Sequence, residues 1–247
     1  METILALVLA LWTGTGAAAE CPPANLPDFN LPRTRAALAS NVQVVVVAFG
    51  SSSTQSWMAT DAAHSYPAVL QAALNAALPR AHVAVINRGI GGQDAAEELS
   101  RLEADVVAVR PQLVIWQVGA NGAMRAVDPL LFHRLVEAGV TRLKAVGEDV
   151  ILMDNQRAPR ILAAPDHAAL ERMLAEISRQ MQVNLFQRGT LMDQWQQAGM
   201  PYAAFISSDR LHMNNRGYDC TARALAAAIV SGVRKVPVPA GDGGRGG

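Results

Sequence analysis

Ser52 stands in the stretch FGSSSTQS, Phe49 to Ser56, directly after the apolar run VQVVVVA. A strand that breaks into glycine and serines can lift a hydroxyl clear of a sheet edge, where it can attack. A serine hydroxyl is a weak nucleophile. It needs a base in hydrogen-bond reach, a group that orients the base, and donors for the oxyanion. The chain offers a candidate for each. His212 can be the base. Asp209, three residues earlier, can accept a hydrogen bond from the other imidazole nitrogen, fixing the tautomer and stabilising the imidazolium. That spacing, in a turn or in the first turn of a helix, brings the two side chains together. The backbone N–H groups of Ser52 and Gly92 and the side-chain amide of Asn121 can receive the oxyanion. Glycine at position 92 suits a backbone that must approach a ligand. The chemistry these residues point to is acyl transfer.

Each residue also has a plain structural role open to it. Ser51, Ser52 and Ser53 fit a turn or a helix cap, Asp209 fits the N-cap of the last helix, and Asn121-Gly122 is a turn signal. Set beside the other candidates, only Ser52 is assigned to chemistry. Ser51 and Ser53 are taken as structural and Thr54 as a cap of the following helix. His64, His82, His133 and His167 lie outside every candidate cluster. Asp154, Asn155 and Gln156 close a strand, and Trp57 and Met58 follow the nucleophile. These five face a substrate or belong to turn and core.

The elements that must position these groups are legible as alternation. Apolar runs at 42–49, 82–87, 112–119 and 149–154, with a weaker one at 183–186, read as strands. Between them lie helical patterns at 65–78, 94–109, 129–147 and 167–181, and a last helix at 220–233. Val69, Leu70, Ala73 and Leu74 share one face of the first. The strand runs are continuously apolar, as expected where both faces of a parallel sheet are covered. Strand-helix repetition of this kind gives a doubly wound α/β sandwich with right-handed crossovers. In such sheets reactive groups collect beyond the carboxyl ends of the strands. GSSST, NRGIGGQD and GANG each follow a strand, and SSDRLHMNN follows the last strand and a further helix.

Four of these stretches, GSSST, NRGIGG, GAN and DRLH, resemble in order and spacing the four motif blocks of the SGNH (GDSL-type) hydrolases. The resemblance covers residues 42 to 230. It implies the SGNH hydrolase fold, a flavodoxin-like three-layer α/β/α sandwich on a mainly parallel five-stranded sheet. It assigns Ser52 as nucleophile, Gly92 and Asn121 to the oxyanion hole, and Asp209 and His212 as orienter and base. Two positions depart from the family pattern. Ser51 stands where the family usually has Asp, and Gly122 where an Asp often follows the third-block Asn. Neither removes a reacting atom, but the first changes how the nucleophile turn is braced.

Composition narrows the partners. The 247 residues carry no formal net charge and only 17% are charged, which argues against nucleic acid or an anionic membrane. NRGIGG differs in spacing from a dinucleotide fingerprint and follows the second strand, not the first. No cluster has metal-ligand spacing. The expectation is an enzyme without metal or organic cofactor.

Residues 1–19 read as a cleaved signal peptide: Ile4 to Trp12 are too few to span a bilayer, and Ala17-Ala18-Ala19 fits a cleavage site. The lack of Lys and Arg before the apolar run departs from the usual pattern. Cleavage would leave a domain over 20–235 in the periplasm or outside the cell, with no stable membrane insertion, and its Pro-rich start, residues 20–38, is expected to wrap the surface. The tail 236–247 is expected to be disordered. Cys21 and Cys220, the only two cysteines, would then form one disulfide in an oxidising compartment, or else remain as two thiols. The function expected is an exported serine esterase acting on a small acyl ester or an acylated carbohydrate. The alternatives are an O-acyltransferase on envelope glycans and a non-catalytic polysaccharide-binding module.

Overall fold

The computed structural model describes residues 20–235. Five strands form one sheet: β1 (Val44–Gly50), β2 (Val83–Gly89), β3 (Leu113–Gln117), β4 (Asp149–Met153) and β5 (Asn184–Phe186). Their order is β2-β1-β3-β4-β5, and every neighbouring pair is parallel. The expected α/β/α sandwich on a five-stranded sheet is what the chain forms.

The strands are apolar on both sides because each side has its own core. Val44, Val46 and Ala48 of β1, Leu113 and Ile115 of β3, and Ile151 and Met153 of β4 pack with the helices Tyr66–Ala77 and Asn215–Arg234. The alternate residues Val47, Phe49, Val114, Trp116, Val150 and Leu152 pack with the helices Pro129–Ala145 and His167–Met181. A strand turns successive side chains to opposite faces, so two covered faces leave no position for a polar alternate.

From β1 the chain goes to β2 on one side and returns to β3 on the other. That reversal opens a crevice at the carboxyl ends of these strands. Gly50 is level with Gly89 on β2 and Gln117 on β3. The segments bearing Ser52, Gly92 and Asn121 therefore leave the sheet at one rim.

Four segments differ from expectation. β2 continues through Asn87-Arg88-Gly89, so half of the NRGIGG block is strand. Residues 94–109 form three short pieces, Ala95–Ser100, Leu102–Asp105 and the tighter turn Val107–Val109. The first break falls at Arg101; the β-branched pair Val106-Val107 is a poor helix former, and the second break lies there. The Pro-rich segment 20–38 does more than cover the surface. It contains the helix Pro32–Ala39, with proline at its first position, and buries Phe29 and Leu31. Thr34 donates to Asp149 Oδ2 through its N–H at 2.8 Å and its hydroxyl at 2.7 Å. The last helix begins at Asn215 rather than Cys220, because Asn214 caps it by accepting the Gly217 N–H at 2.9 Å.

A further helix, Arg188–Gln197, was not legible in its polar sequence; tertiary packing buries its Leu191, Met192 and Trp195. No helix among the described residues is long and apolar enough to cross a membrane. The expected leader (1–19) and tail (236–247) lie outside the described residues.

Cys21 and Cys220 are joined by a disulfide, with Cα atoms 5.4 Å apart across a separation of 199 residues. Closing so long a loop restricts the unfolded chain, which is worth about 2–5 kcal/mol. Urea unfolding with and without reductant should therefore show a loss of that size on reduction. A Cys21→Ser/Cys220→Ser double variant should match the reduced protein and be indifferent to reductant.

Candidate active site

The structure brings Ser52, His212 and Asp209 together across a separation of 160 residues. Ser52 Oγ lies 2.8 Å from His212 Nε2, and His212 Nδ1 lies 2.5 Å from Asp209 Oδ2. Asp209 does not cap the last helix, where Asn214 holds that place. Its Oδ1 instead accepts the N–H groups of Leu211 and His212, both at 3.0 Å, closing a tight turn on its own base. Arg210 takes the left-handed conformation, φ 61°, that this turn requires. Partial burial raises the Asp209 carboxyl, but the hydrogen bonds from His212 and the two backbone N–H groups outweigh it and hold the group below the ordinary carboxylate range. His212 is buried at 6% exposure and Ser52 is partly exposed, so the imidazole is shielded while the hydroxyl is reachable.

Ser52 is the first residue of the short helix Ser52–Gln55. Gln117, at the end of β3, braces this turn. Its Oε1 lies 3.3 Å from the Ser51 N–H, 3.2 Å from the Ser51 hydroxyl and 3.2 Å from the Thr54 hydroxyl. Ser51 thus serves the turn directly. Thr54 sits inside the helix and bonds to Gln117 rather than capping it. Gly89 lets β2 come close: a Cβ there would lie 2.1 Å from the Gln55 backbone nitrogen.

Gly92 and Asn121 meet through Gln93, whose carbonyl accepts the Asn121 amide at 2.8 Å. Gly92 has φ 83° and open space where a Cβ would be, so backbone conformation, not crowding, calls for glycine there. Arg125 holds the same loop, donating to the Gly92 carbonyl at 2.8 Å and to Asp94 at 2.8 Å. Gln55 Oε1 accepts the Gly91 N–H at 2.8 Å, which ties this loop to the nucleophile's helix. The N–H groups of Ser52 and Gly92 meet no protein acceptor among the described residues. All five expected site residues therefore lie in one connected assembly.

The model of the non-GDSL lipase-like family matches residues 18–235. The chain belongs to that family. The resemblance to SGNH-type serine hydrolases therefore holds, and the family's description agrees with Ser51 in place of the usual Asp. No curated protein matches the chain significantly by sequence. Solved structures match by fold. LAE5, an α/β hydrolase from the metagenome of Lake Arreo in Spain, is 19% identical over 79% of this chain and 99% of its own, with a TM-score of 0.66. Axe2, an acetylxylan esterase from Geobacillus stearothermophilus, is 20% identical over 75% of this chain and 94% of its own, with a TM-score of 0.64. CEX, a two-domain esterase active on acetylated mannans, is 20% identical over 84% of this chain and 55% of its own, with a TM-score of 0.70.

Within this non-GDSL frame, the sequence gives no warning of Arg188. Its guanidinium is wholly buried. It donates to Ser53 Oγ at 2.6 Å, to Gln156 Oε1 at 2.6 Å and to the Asp154 carbonyl at 3.1 Å. Gln156 in turn donates to the Leu211 carbonyl at 2.8 Å. One side chain thus links the residue after Ser52 with the residue before His212. Asp154, Asn155 and Gln156 are buried rather than on a substrate surface, and Asp154 and Gln156 belong to this scaffold. Trp57 and Met58 are exposed, which removes the core role for both. His64 pairs with Asp61, and His133 faces Glu137 one helical turn on, so each has an acidic partner of its own. The group Cys21, Asp219 and Cys220 has ligand-like proximity, but its two sulfurs are already bonded to each other.

Two predictions follow from this scaffold. Arg188→Met should lower kcat by about 100-fold, the order expected when a reacting pair is misplaced by an ångström, and Arg188→Lys should recover part of it. Steady-state kinetics below the melting temperature of each variant would check this. Burial pushes the Asp154 carboxyl up to about 7 from 3.8, against the Gly189 N–H it accepts and the nearby Arg188. A group that binds its proton more tightly when folded adds stability at acid pH, and this is lost as pH rises through about 7. Asp154→Asn keeps an acceptor for Gly189 but carries no charge. Thermal melts should show its stability relative to the parent improving from pH 5 to pH 8.

Proposed function

We propose that the protein is an exported serine esterase that hydrolyses acyl esters, with O-acylated carbohydrate as the substrate class. The observation that carries this is the 2.8 Å approach of His212 Nε2 to Ser52 Oγ, with Asp209 on the opposite nitrogen. His212 takes the Ser52 proton as Oγ attacks the ester carbonyl. The oxyanion rests on the N–H groups of Ser52 and Gly92 and the amide of Asn121. As the tetrahedral species collapses, the ester C–O bond breaks and His212 gives its proton to the departing alkoxide. Water, deprotonated by His212, then attacks the acyl-enzyme, and Ser52 regains its proton as the acid leaves. Asp209 stays ionised and stabilises the imidazolium in both steps.

The substrate class is supported by the names of Axe2 and CEX, which act on acetylated xylan and acetylated mannans. Export is supported by the leader-like residues 1–19 and by the disulfide, which persists in oxidising compartments.

Ser52→Ala and His212→Ala should each lower kcat on an activated acetate ester by at least ~10³-fold and should abolish labelling by a fluorophosphonate probe. Wild-type rates in Ser52→Ala would refute the mechanism.

A further inference from the structure

Trp57 is the anomaly beside the triad. Trp116 and Trp195 are 0% and 1% exposed, whereas Trp57 is 54% exposed. An exposed indole on a mobile loop would need no explanation, but this one is held from several sides. Its Nε1–H donates to Gln55 Oε1 at 3.0 Å. Its backbone N–H donates to the Ser52 carbonyl at 3.0 Å, and its carbonyl accepts the Tyr218 hydroxyl at 2.7 Å. Ser56 and Met58, on either side, both lie in the left-handed region, at φ 66° and 67°. Side chains rarely adopt that conformation, and it persists only where the surroundings enforce it. The fold thus holds strained backbone on both sides of a large apolar ring while leaving that ring in water.

The ring lies against the base. Its centroid is 5.8 Å from that of His212, with the planes tilted by 40°. Met58, the next residue, and Ile90, beside Gly91, are each 44% exposed. Gly91 backs onto the indole, where a Cβ would lie 3.3 Å from Nε1.

We propose that Trp57 is a binding platform for the alcohol half of the ester, and that it takes the C–H face of a sugar ring. This rests on the esterase mechanism above. The departing oxygen receives its proton from His212 Nε2, so the alcohol must sit beside that imidazole and hence beside Trp57. The carbonyl oxygen points instead towards Gly92 and Asn121. A single open flat face suits a ring with one apolar side and hydroxyls left in water. A long acyl chain needs walls on all sides to leave water. The cavities of about 640 and 660 Å³ are lined by Arg35, Leu38, Ala73 and Ala77 among others, away from Ser52.

The test compares Trp57→Ala and Trp57→Phe with the parent on acetylated xylo-oligosaccharide and on ethyl acetate, whose alcohol has no ring. Trp57→Ala should lower kcat/KM for the sugar ester about tenfold more than for ethyl acetate, mainly through KM, and Trp57→Phe should recover much of that selectivity. Equal losses on both esters would overturn the proposal and make Trp57 a support for His212. A changed preference between acetate and butyrate esters of one alcohol would overturn it in favour of the acyl side. If the parent hydrolyses neither ester, the esterase mechanism fails on its own account. Acrylamide quenching of Trp57 fluorescence in Ser52→Ala then decides the platform. Protection by unacylated xylo-oligosaccharide supports it, and unchanged quenching at saturating sugar overturns it.

Discussion

A guanidinium sealed inside the protein holds the two halves of the site in register. Arg188 donates only to neutral acceptors, Ser53 Oγ, Gln156 Oε1 and the Asp154 carbonyl. Each of those acceptors belongs to a segment leaving the carboxyl end of β1 or β4. Burying a cation without a bonded carboxylate is costly, and the cost rises if any acceptor moves away. The arrangement therefore penalises every geometry except one. In that geometry the turn carrying Ser52 and the loop carrying His212 are a fixed distance apart. A serine–histidine contact made across 160 residues needs some such device, because sheet hydrogen bonds alone do not control loops beyond the strand ends.

The nucleophile turn shows how one departure from the family pattern is absorbed. Where an Asp would bring a carboxylate, Ser51 brings a short hydroxyl, and Gln117 reaches up from β3 to meet it. One amide oxygen faces the Ser51 N–H, the Ser51 hydroxyl and the Thr54 hydroxyl, so the turn is braced by a neutral network. Position 51 therefore adds no fixed negative charge to the turn from which Ser52 projects.

The parts of this arrangement that follow local rules were legible in the sequence. The strands announced themselves through continuous apolar runs, and Asp209 and His212 through a spacing that a turn makes meaningful. Gly92 was legible as a backbone position and proves to be one by its φ. What escaped notice depends on distant partners. Arg188 opens a helix whose residues are mostly polar, and nothing in RGTLMDQWQQ says that its first side chain will be buried. Gln117 is one polar residue closing an apolar run, indistinguishable there from a strand end. Asn214 and Asp209 are both good caps by type, and only the fold decides that the first caps the helix and the second bonds to the His212 ring. Residues 20–38 read as surface from their prolines, yet Phe29 and Leu31 are core because the last helix passes over them.

The bond between Cys21 and Cys220 also bears on how the molecule matures. A chain with two cysteines has a single possible internal pairing, so oxidation cannot trap a wrong isomer and no shuffling step is needed. One partner emerges from synthesis 199 residues before the other. The first thiol must therefore wait for that span, which holds all five strands, and the staple closes as a lock on a finished structure rather than as a guide to building it.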